Sequence, residues 1–311
     1  MRVAFFGDGP WAHQALRRAL AEGFDVRVVV VRDDLRDETL LGIAREHGIT
    51  GTHAPDVNAD GFLALLGSLE CELAVSMSFN QILREPIRSL FPRGFLNCHA
   101  GKLPAYRGRN ILNWALINDE REIGVTCHFV DDGIDTGDIV EQRTFAVTDE
   151  DTYGTVLERA ITLCPDVLIA AMTAVRDGTA RRLPQPREGT YFVARRDGDE
   201  WIDWTWSSRR IWTFVRAITT PGPQARTLLR TVDGFHELKI ARARLVPDAL
   251  PYLCAEGAVV GIRDGEPLVK TGDTMVALSA YSIDHPTRRK LRVGDRLGLS
   301  AALVQALLSK R

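Results

Sequence analysis

The chain has 311 residues, of which 45% are apolar and 26% charged, with a formal net charge of −2. This composition predicts a globular protein of about two domains and excludes a disordered or collagen-like chain. The opening segment, residues 1–7, is typical of a first strand and not of a signal peptide, because Asp8 soon interrupts its apolar run. No later apolar run reaches the ~18 residues of a membrane span, so we expect a cytoplasmic protein without a membrane partner.

The five cysteines are an odd number without paired CxxC spacing. This pattern argues against both a disulfide framework and a zinc site, so no metal is predicted. Isolated histidines are more often structural or surface residues than catalysts. We expect such roles for His13, His47, His53, His128, His236 and His285.

Apolar strands alternate with amphipathic helices through the first half of the chain. Strands are predicted at 3–6, 26–31, 73–77, 95–98, 125–130 and 139–145, and helices at 11–22, 40–47, 61–69, 110–117 and 153–177. This order predicts an α/β fold with a mostly parallel, Rossmann-like sheet. We place the first domain at 1–183.

After residue 183 the composition changes to a short Pro-containing linker, a helix at 208–218 and several β-prone runs. The runs fall at 236–241, 258–262, 267–270 and 275–281, and Gly294 to Leu297 is expected to close the group. The second region, 184–311, therefore reads as linker, helix and a small OB-like barrel.

The first strand leads into Gly7-Asp8-Gly9, which invites comparison with a dinucleotide-binding loop. The match is weak because Ala12 stands where the third glycine belongs. Asp33 or Asp34 would supply the acidic residue that such sites use on the ribose. An NAD-dependent oxidoreductase therefore stays as an alternative of a different class.

The strongest chemical pattern lies between Asn97 and Asp138. Asn97 and His99 are alternate residues at the end of a strand and point to one face, while Asp135 lies in an Asp- and Gly-rich turn after a later strand. An amide can stabilise an oxyanion, an imidazole can move a proton, and a carboxylate can orient the imidazole. Together they indicate acyl transfer.

The Asn-x-His pair, the Leu-Pro-x-x-Arg-Gly loop at 103–108, Gly124-Val125-Thr126 and the Asp-Thr-Gly-Asp motif at 135–138 resemble the 10-formyltetrahydrofolate-dependent formyltransferases. The resemblance implies catalytic roles for Asn97 as oxyanion donor, His99 as general base and Asp135 as the residue that orients His99. It also implies 10-formyltetrahydrofolate as cosubstrate, without a metal. The implied folate site comprises Phe79, Gln81, Ile82, Leu83, Asp131 and Asp132.

Two segments of the sequence bear on the acceptor of the formyl group. The tRNA-directed members carry a long basic loop after the second strand, whereas Arg32 to Glu38 is short and acidic here, which disfavours a nucleic-acid partner. Gly101-Lys102-Leu103-Pro104 and Arg107-Gly108-Arg109-Asn110 resemble the sugar N-formyltransferases instead.

The resemblance therefore favours a nucleotide-linked amino sugar as acceptor, in carbohydrate biosynthesis such as that of lipopolysaccharide O-antigen. Methionyl-tRNA and hydroxyornithine stay as alternatives, and a homodimer stays open. Cationic side chains would meet the diphosphate, and an aromatic side chain would stack on the base. The expected substrate residues are Lys102, Arg107, Arg109, Asn110 and Tyr191.

Overall fold

The computed structural model describes residues 1–285 and 289–298. The chain divides into two compact units. Unit 1 comprises 1–111, 121–147 and 157–194, and unit 2 comprises 112–120, 148–156 and the described residues from 195 onwards. Residues 184–194, which the sequence analysis gave to the second region, lie in unit 1 because Tyr191-Phe192 pairs with Arg107-Gly108. The end of the predicted second region, from 299, lies outside the described residues.

Unit 1 is built on a seven-stranded sheet in the order β3-β2-β1-β4-β5-β7-β8. Neighbours among the first five strands pair in parallel, whereas β7 pairs antiparallel with both β5 and β8. The predicted mostly parallel α/β fold is therefore confirmed. The strands of this sheet are β1 (Arg2–Gly7), β2 (Asp25–Val30), β3 (Thr50–Thr52), β4 (Leu73–Met77), β5 (Phe95–His99), β7 (Glu122–Phe129) and β8 (Ile139–Ala146).

Alternation along β1 shows how the sheet is covered. Val3 and Phe5 belong to one buried cluster, whereas Ala4 and Phe6 belong to another. Successive strand residues point to opposite faces, so both faces of the sheet are packed. The helices are α1 (Gly9–Ala21), α2 (Glu38–Glu46), α3 (Asp60–Ser68), α4 (Glu85–Arg88), α5 (Ile111–Ile117) and α6 (Tyr153–Arg176), of which α5 and the start of α6 fall in unit 2.

A separate pair of short parallel strands holds the chain around the Leu-Pro-x-x-Arg-Gly loop. They are β6 (Arg107–Gly108) and β9 (Tyr191–Phe192). The ring of Tyr106, just before β6, stacks on that of Phe192, with centroids 4.8 Å apart. Neither strand was predicted, because two-residue strands carry no periodicity.

Unit 2 contains a six-stranded antiparallel sheet in the order β12-β13-β14-β11-β10-β15, together with helix α7 (Ser208–Ala217). A bridge between Ala258 and Arg296 joins its two ends, as expected from the Gly294–Leu297 segment. The β-rich second part is therefore confirmed. Its strands are β10 (Ala225–Thr231), β11 (Gly234–Leu245), β12 (Val259–Arg263), β13 (Glu266–Lys270), β14 (Met275–Ile283) and β15 (Arg296–Leu297).

Within the described residues, no helix is both long enough and apolar enough to cross a membrane.

Candidate active site

The carboxylate of Asp135 is the centre of the site. Its Oδ2 accepts a hydrogen bond from the Gly108 backbone N–H at 2.8 Å and lies 3.6 Å from His99 Nδ1. The Asn97 amide nitrogen lies 3.5 Å from Oδ1. The structure thus brings together the three side chains that the sequence singled out.

Strand pairing explains why they meet. Asn97 and His99 are half-buried on one face of β5, while Cys98 between them is buried. Asn97 lies opposite His128 of β7 in the sheet, and the turn that follows β7 carries Asp135 back toward them. Asp135 has a φ of 54°, a left-handed conformation that Asp tolerates better than most residues.

Asp135 is almost enclosed, with 12% of its side chain exposed. Burial alone would raise the pKa of this carboxyl group. The positive potential of His99, the contact with His128 and the Gly108 N–H outweigh burial and hold the Asp135 pKa well below its usual range. The group is therefore a carboxylate throughout the neutral pH range.

His99 lies between two hydrogen-bond acceptors. Its Nε2 is 2.7 Å from the Tyr106 backbone carbonyl, and its Nδ1 faces Asp135. Because a carbonyl oxygen can only accept, Nε2 carries a proton in this arrangement. Nδ1 is therefore the ring nitrogen that can take up a proton, and both nitrogens donate once it has done so.

Gly101 is packed against this imidazole, and we expect Gly101→Ala to disable the site while the fold persists. A Cβ at 101 would lie less than 3.0 Å from His99 Nε2 and from the Tyr106 carbonyl. Misplacing a catalytic group by about 1 Å typically costs about 100-fold in rate. We therefore expect kcat to fall about 100-fold in a steady-state turnover assay.

Gly61→Ala is the matched control for that variant. Gly61 lies in α3, and an added Cβ meets nothing within 4 Å. Its kcat should equal that of the parent, and equal rates for Gly101→Ala would contradict the role given to the Gly101–His99 contact.

A buried hydroxyl fixes the orientation of the Asn97 amide. Ser76 of β4 donates to Asn97 Oδ1 at 2.7 Å, so the amide nitrogen is directed toward His128 and Asp135. An amide held in this way presents its N–H donors to the site and its oxygen away from it. Sequence reasoning did not single out Ser76, because a serine inside an apolar strand gives no pattern.

His128 is the second residue of the site that sequence reasoning missed. It was expected to be structural, yet its Nε2 lies 3.3 Å from the Asn97 amide nitrogen and 3.4 Å from Asp135 Oδ1. Its Nδ1 donates to the Phe129 backbone carbonyl at 2.8 Å, which leaves Nε2 facing the site. Its place opposite Asn97 in the antiparallel pair was the available signal, but that register was not predicted.

Arg107, expected to meet a diphosphate, is buried, with 1% of its surface exposed. Its guanidinium donates to the Gln185 side-chain oxygen and the Pro186 carbonyl, both at 3.0 Å. Gln185 in turn donates to the backbone carbonyls of Asp135 and Gly137 at 3.0 and 2.7 Å. This burial argues against substrate contact, because Arg107 and Gln185 are used to hold the turn that carries Asp135.

The other expected substrate residues lie on the surface of the same loop region. Lys102 pairs with Glu122 at 2.5 Å, and Arg109 donates to the Asn80 carbonyl at 3.1 Å. Asn110 is exposed with a φ of 54°. Tyr191 is 57% exposed, and its hydroxyl accepts from Arg107 at 3.0 Å. Of the five, Lys102, Arg109, Asn110 and Tyr191 are exposed to solvent.

The expected folate residues after β4 differ in their surroundings. Phe79 packs edge-on against Phe6, with ring centroids 5.3 Å apart, and Leu83 is buried in the core. Gln81 accepts from the Val57 N–H and donates to the Ala54 carbonyl, so it braces a neighbouring loop. Ile82 is 60% exposed and is the one of these four side chains that offers a large open apolar surface.

Asp131 and Asp132, the remaining expected folate residues, lie in the turn before Asp135. Asp131 accepts from the Gly133 N–H at 3.1 Å and from the Thr136 hydroxyl at 2.6 Å, so its carboxylate shapes the turn. Asp132 is exposed and pairs with Arg88, which follows the segment around Ile82. This ion pair links α4 to the turn that carries Asp131 and Asp132.

The Gly7-Asp8-Gly9 segment does not form an open phosphate-binding loop. The Asp37 carboxylate accepts the Gly9 N–H at 2.8 Å and also contacts His13 Nε2 at 2.6 Å. A bound pyrophosphate requires those N–H groups at the start of α1, but a carboxylate already holds one of them. The geometry therefore disfavours the NAD-dependent alternative.

A Rossmann-like sheet with an amide, an imidazole and a buried carboxylate at one site defines an enzyme of the acyl-transfer class. Residues 1–172 match the family described as Formyl transferase, and residues 196–293 match Formyl transferase, C-terminal domain. The chain belongs to the formyltransferase family, and it is an enzyme of folate-dependent formyl transfer.

Relatives span nearly the whole chain. The methionyl-tRNA formyltransferase of Pelotomaculum thermopropionicum is 32% identical over 96% of this chain and 95% of its own length. That of Caldanaerobacter subterraneus subsp. tengcongensis is 31% identical over 96% of both. Among solved structures, the sugar 3N-formyltransferase WlaRD has a TM-score of 0.66 at 21% identity, covering 89% of this chain and 97% of its own. An N-formyltransferase from Helicobacter canadensis has a TM-score of 0.66 at 19% identity, covering 89% and 98%.

Proposed function

We propose that this enzyme transfers the formyl group of 10-formyltetrahydrofolate to an amino group, and that Asn97, His99 and Asp135 carry the reaction. The observation that carries the proposal is the convergence of the Asn97 amide and the His99 imidazole on the Asp135 carboxylate. The WlaRD and Helicobacter canadensis structures were determined with 5-N-formyl-THF and folinic acid, which supports a folate as the donor here.

The proton balance assigns a role to His99. The neutral amine attacks the formyl carbon, and a C–N bond forms while the carbonyl oxygen becomes an oxyanion. His99 takes the proton that the amine loses, and the resulting imidazolium is the form that the Tyr106 carbonyl and Asp135 stabilise. Collapse of the intermediate breaks the bond to N10 of the folate, and the proton that His99 took from the amine passes to N10, which restores neutral His99.

Asn97 stabilises the oxyanion. Its N–H groups are already directed toward the site by Ser76, so they need no reorganisation when charge develops on the oxygen. Donors arranged in advance in this way stabilise the transition state more than the substrate.

We expect Asn97→Ala to lower kcat about 100- to 1000-fold, the usual cost of removing one oxyanion donor. Ser76→Ala should have a smaller effect, because it removes only the hydroxyl that orients the Asn97 amide. We expect it to lower kcat about tenfold. Stopped-flow or steady-state release of tetrahydrofolate measures both. Equal rates for Asn97→Ala and the parent would exclude oxyanion stabilisation by Asn97.

For the acceptor, we propose methionyl-tRNA. The support is whole-chain identity of 32% and 31% to two methionyl-tRNA formyltransferases. The sugar N-formyltransferase structures, at 21% and 19% identity, share the fold alone. Burial of Arg107 and the Lys102–Glu122 ion pair also weaken the case for a diphosphate held by this loop.

A nucleotide-linked amino sugar remains the second candidate acceptor. Three features of the sequence favour it. They are the short acidic segment from Arg32 to Glu38, the net charge of −2 and the resemblance of Gly101-Lys102-Leu103-Pro104 to the sugar N-formyltransferases. Arg109 and Tyr191 would then be the residues that meet the nucleotide.

A comparison of turnover with different acceptors separates the candidates. The enzyme is given 10-formyltetrahydrofolate with methionyl-tRNA, with 3- or 4-amino sugar nucleotides or with hydroxyornithine, at several salt concentrations. For tRNA we expect turnover whose KM rises steeply with salt, because phosphate contacts release counterions. Turnover with an amino sugar nucleotide and none with methionyl-tRNA would overturn the acceptor proposal and leave the formyl-transfer proposal intact.

A further inference from the structure

Two histidines and an aspartate converge in unit 2 within the antiparallel sheet. They are Asp233 in the turn between β10 and β11, His236 on β11 and His285 just after β14. One potential ligand atom from each lies within 4.8 Å of the other two. Among the described residues, these three form the cluster of potential metal-binding side chains that lie this close together.

We propose that Asp233, His236 and His285 bind a divalent transition-metal ion, of which Zn²⁺ is the best fit. Two imidazole nitrogens and a carboxylate oxygen form a donor set that suits Zn²⁺ and not the hard cations Mg²⁺ and Ca²⁺. This site is independent of the formyl-transfer centre, which lies in unit 1.

The distances match the size of a metal site. His236 Nε2 lies 3.6 Å from Asp233 Oδ1, and His285 Nε2 lies 3.6 Å from Asp233 Oδ2. In a tetrahedral site with bonds of 2.0 to 2.2 Å, ligand atoms are separated by about 3.4 Å. Small side-chain rotations therefore suffice to place the three atoms around one ion, and water would complete the coordination.

The neighbours of the cluster set the correct form of its ligands. His236 Nδ1 lies 3.2 Å from the Asp284 carbonyl, which can only accept, so this contact places the ring proton on Nδ1. Nε2, which lies 3.0 Å from the Thr231 hydroxyl, is then the nitrogen that would bind the ion. The Thr231 hydroxyl donates to Asp233 Oδ1, which orients the carboxylate.

The rings of His236 and His285 are packed together, with centroids 4.3 Å apart and planes inclined at 55°. Their side chains are only 15% and 11% exposed, whereas that of Asp233 is 58% exposed. Two largely covered imidazoles facing one open carboxylate leave a path from solvent to the ligand atoms. A bound ion would tie the β10–β11 turn to the end of β14.

Zinc titration of the full chain tests this proposal. The background variant is Cys254→Ser, because Cys254 is exposed and its thiol could bind zinc by itself. After EDTA treatment and desalting, ZnCl2 is titrated by calorimetry, and thermal unfolding is followed with and without ZnCl2. We expect one equivalent to bind and Tm to rise, because a ligand of the native state stabilises it.

Ligand variants locate the ion. In the same background, His236→Ala, His285→Ala and the conservative Asp233→Asn should each weaken zinc binding at least about tenfold and remove the rise in Tm. His47→Ala, which removes an exposed histidine of unit 1, should change neither quantity. Circular dichroism checks that each variant is folded. Unchanged zinc affinity in His236→Ala and His285→Ala, or a background variant that binds no zinc, would overturn the proposal.

Discussion

Replacing His99 by Asn should lower kcat by about 1000-fold or more, with little change in the affinity for folate. General acid–base groups contribute about 100- to 10,000-fold, and His99 is the base in the proposed reaction. The Asn amide can occupy the place of Nδ1 beside Asp135, but it is too short to reach the Tyr106 carbonyl as Nε2 does, and it cannot take a proton from the amine. Single-turnover formyl transfer with saturating acceptor measures the loss of the chemical step.

Two comparisons separate a chemical role for His99 from a structural one. His47→Asn changes an exposed histidine and should retain parental kcat. Added imidazole should partly restore the His99→Asn rate, since a free base can replace the missing one when the cavity is intact. Retention of parental kcat by His99→Asn would show that another group is the base.

Replacing Asp135 by Asn should have a loss of similar size, about 1000-fold in kcat. The carboxylate stabilises the positive charge that His99 acquires, and it lies against both His99 and Asn97. Loss of the corresponding carboxylate in serine proteases costs about 10,000-fold through a misoriented imidazole. The matched control is Asp177→Asn at the end of α6, whose exposed carboxylate pairs with Arg176 and should not affect kcat by more than about twofold.

The depressed pKa of Asp135 gives this variant a second signature, in stability. A carboxyl group whose pKa is lower in the folded than in the unfolded state stabilises the fold above its unfolded pKa, near ~3.9. That stability is lost as pH falls through the folded-state pKa. Asp135→Asn should therefore reduce the free energy of unfolding by about 1.5 to 3 kcal/mol at pH 7, and the difference from the parent should shrink below about pH 4.

Urea unfolding of both proteins at pH 7 and at successively lower pH measures that difference. A gap that grew with falling pH would mean that the folded-state pKa of Asp135 is raised by burial and not lowered by its neighbours. Parental kcat in Asp135→Asn would contradict its proposed role in the reaction.

The strands and helices of the sheet were predictable because each depends on the pattern of apolar residues within its own segment. Strands such as Leu73–Met77 are buried on both faces and read as continuous apolar runs, and the helices between them show a period of 3.6. The catalytic trio was predictable for a different reason, since the Asn97-x-His99 pair and the turn at Asp135 form a motif of fixed spacing. That they lie close together follows from the pairing of β5 with β7.

What could not be predicted depends on contacts between distant parts of the chain. The sequence around Arg107 predicts an exposed cation in a Gly-rich loop. In the structure Arg107 is buried, and its guanidinium donates to Gln185, which lies far along the sequence. His128 acquires its place in the site only through the antiparallel register with Asn97. The approach of His236 to His285 depends on the pairing of β11 with β14, so no ligand spacing marks it in the sequence.

The acceptor was also beyond the reach of local sequence reasoning. The interpretation as a sugar N-formyltransferase depended on the short acidic segment from Arg32 to Glu38 and on the loop from Gly101 to Asn110. In the structure, Arg107 of that loop is buried. Whole-length identity to methionyl-tRNA formyltransferases favours the alternative that the motif analysis ranked lower.

Transfer of labelled carbon tests the central claim most directly. The enzyme is incubated with 10-formyltetrahydrofolate carrying isotope in the formyl group, together with methionyl-tRNA, and both released tetrahydrofolate and labelled acceptor are quantified. We expect one labelled formamide on the acceptor amine for each tetrahydrofolate released, and neither product with the Asn97→Ala, His99→Asn or Asp135→Asn variants on the same timescale. Label transfer at the parental rate in all three variants would contradict the assignment of the reaction to this site.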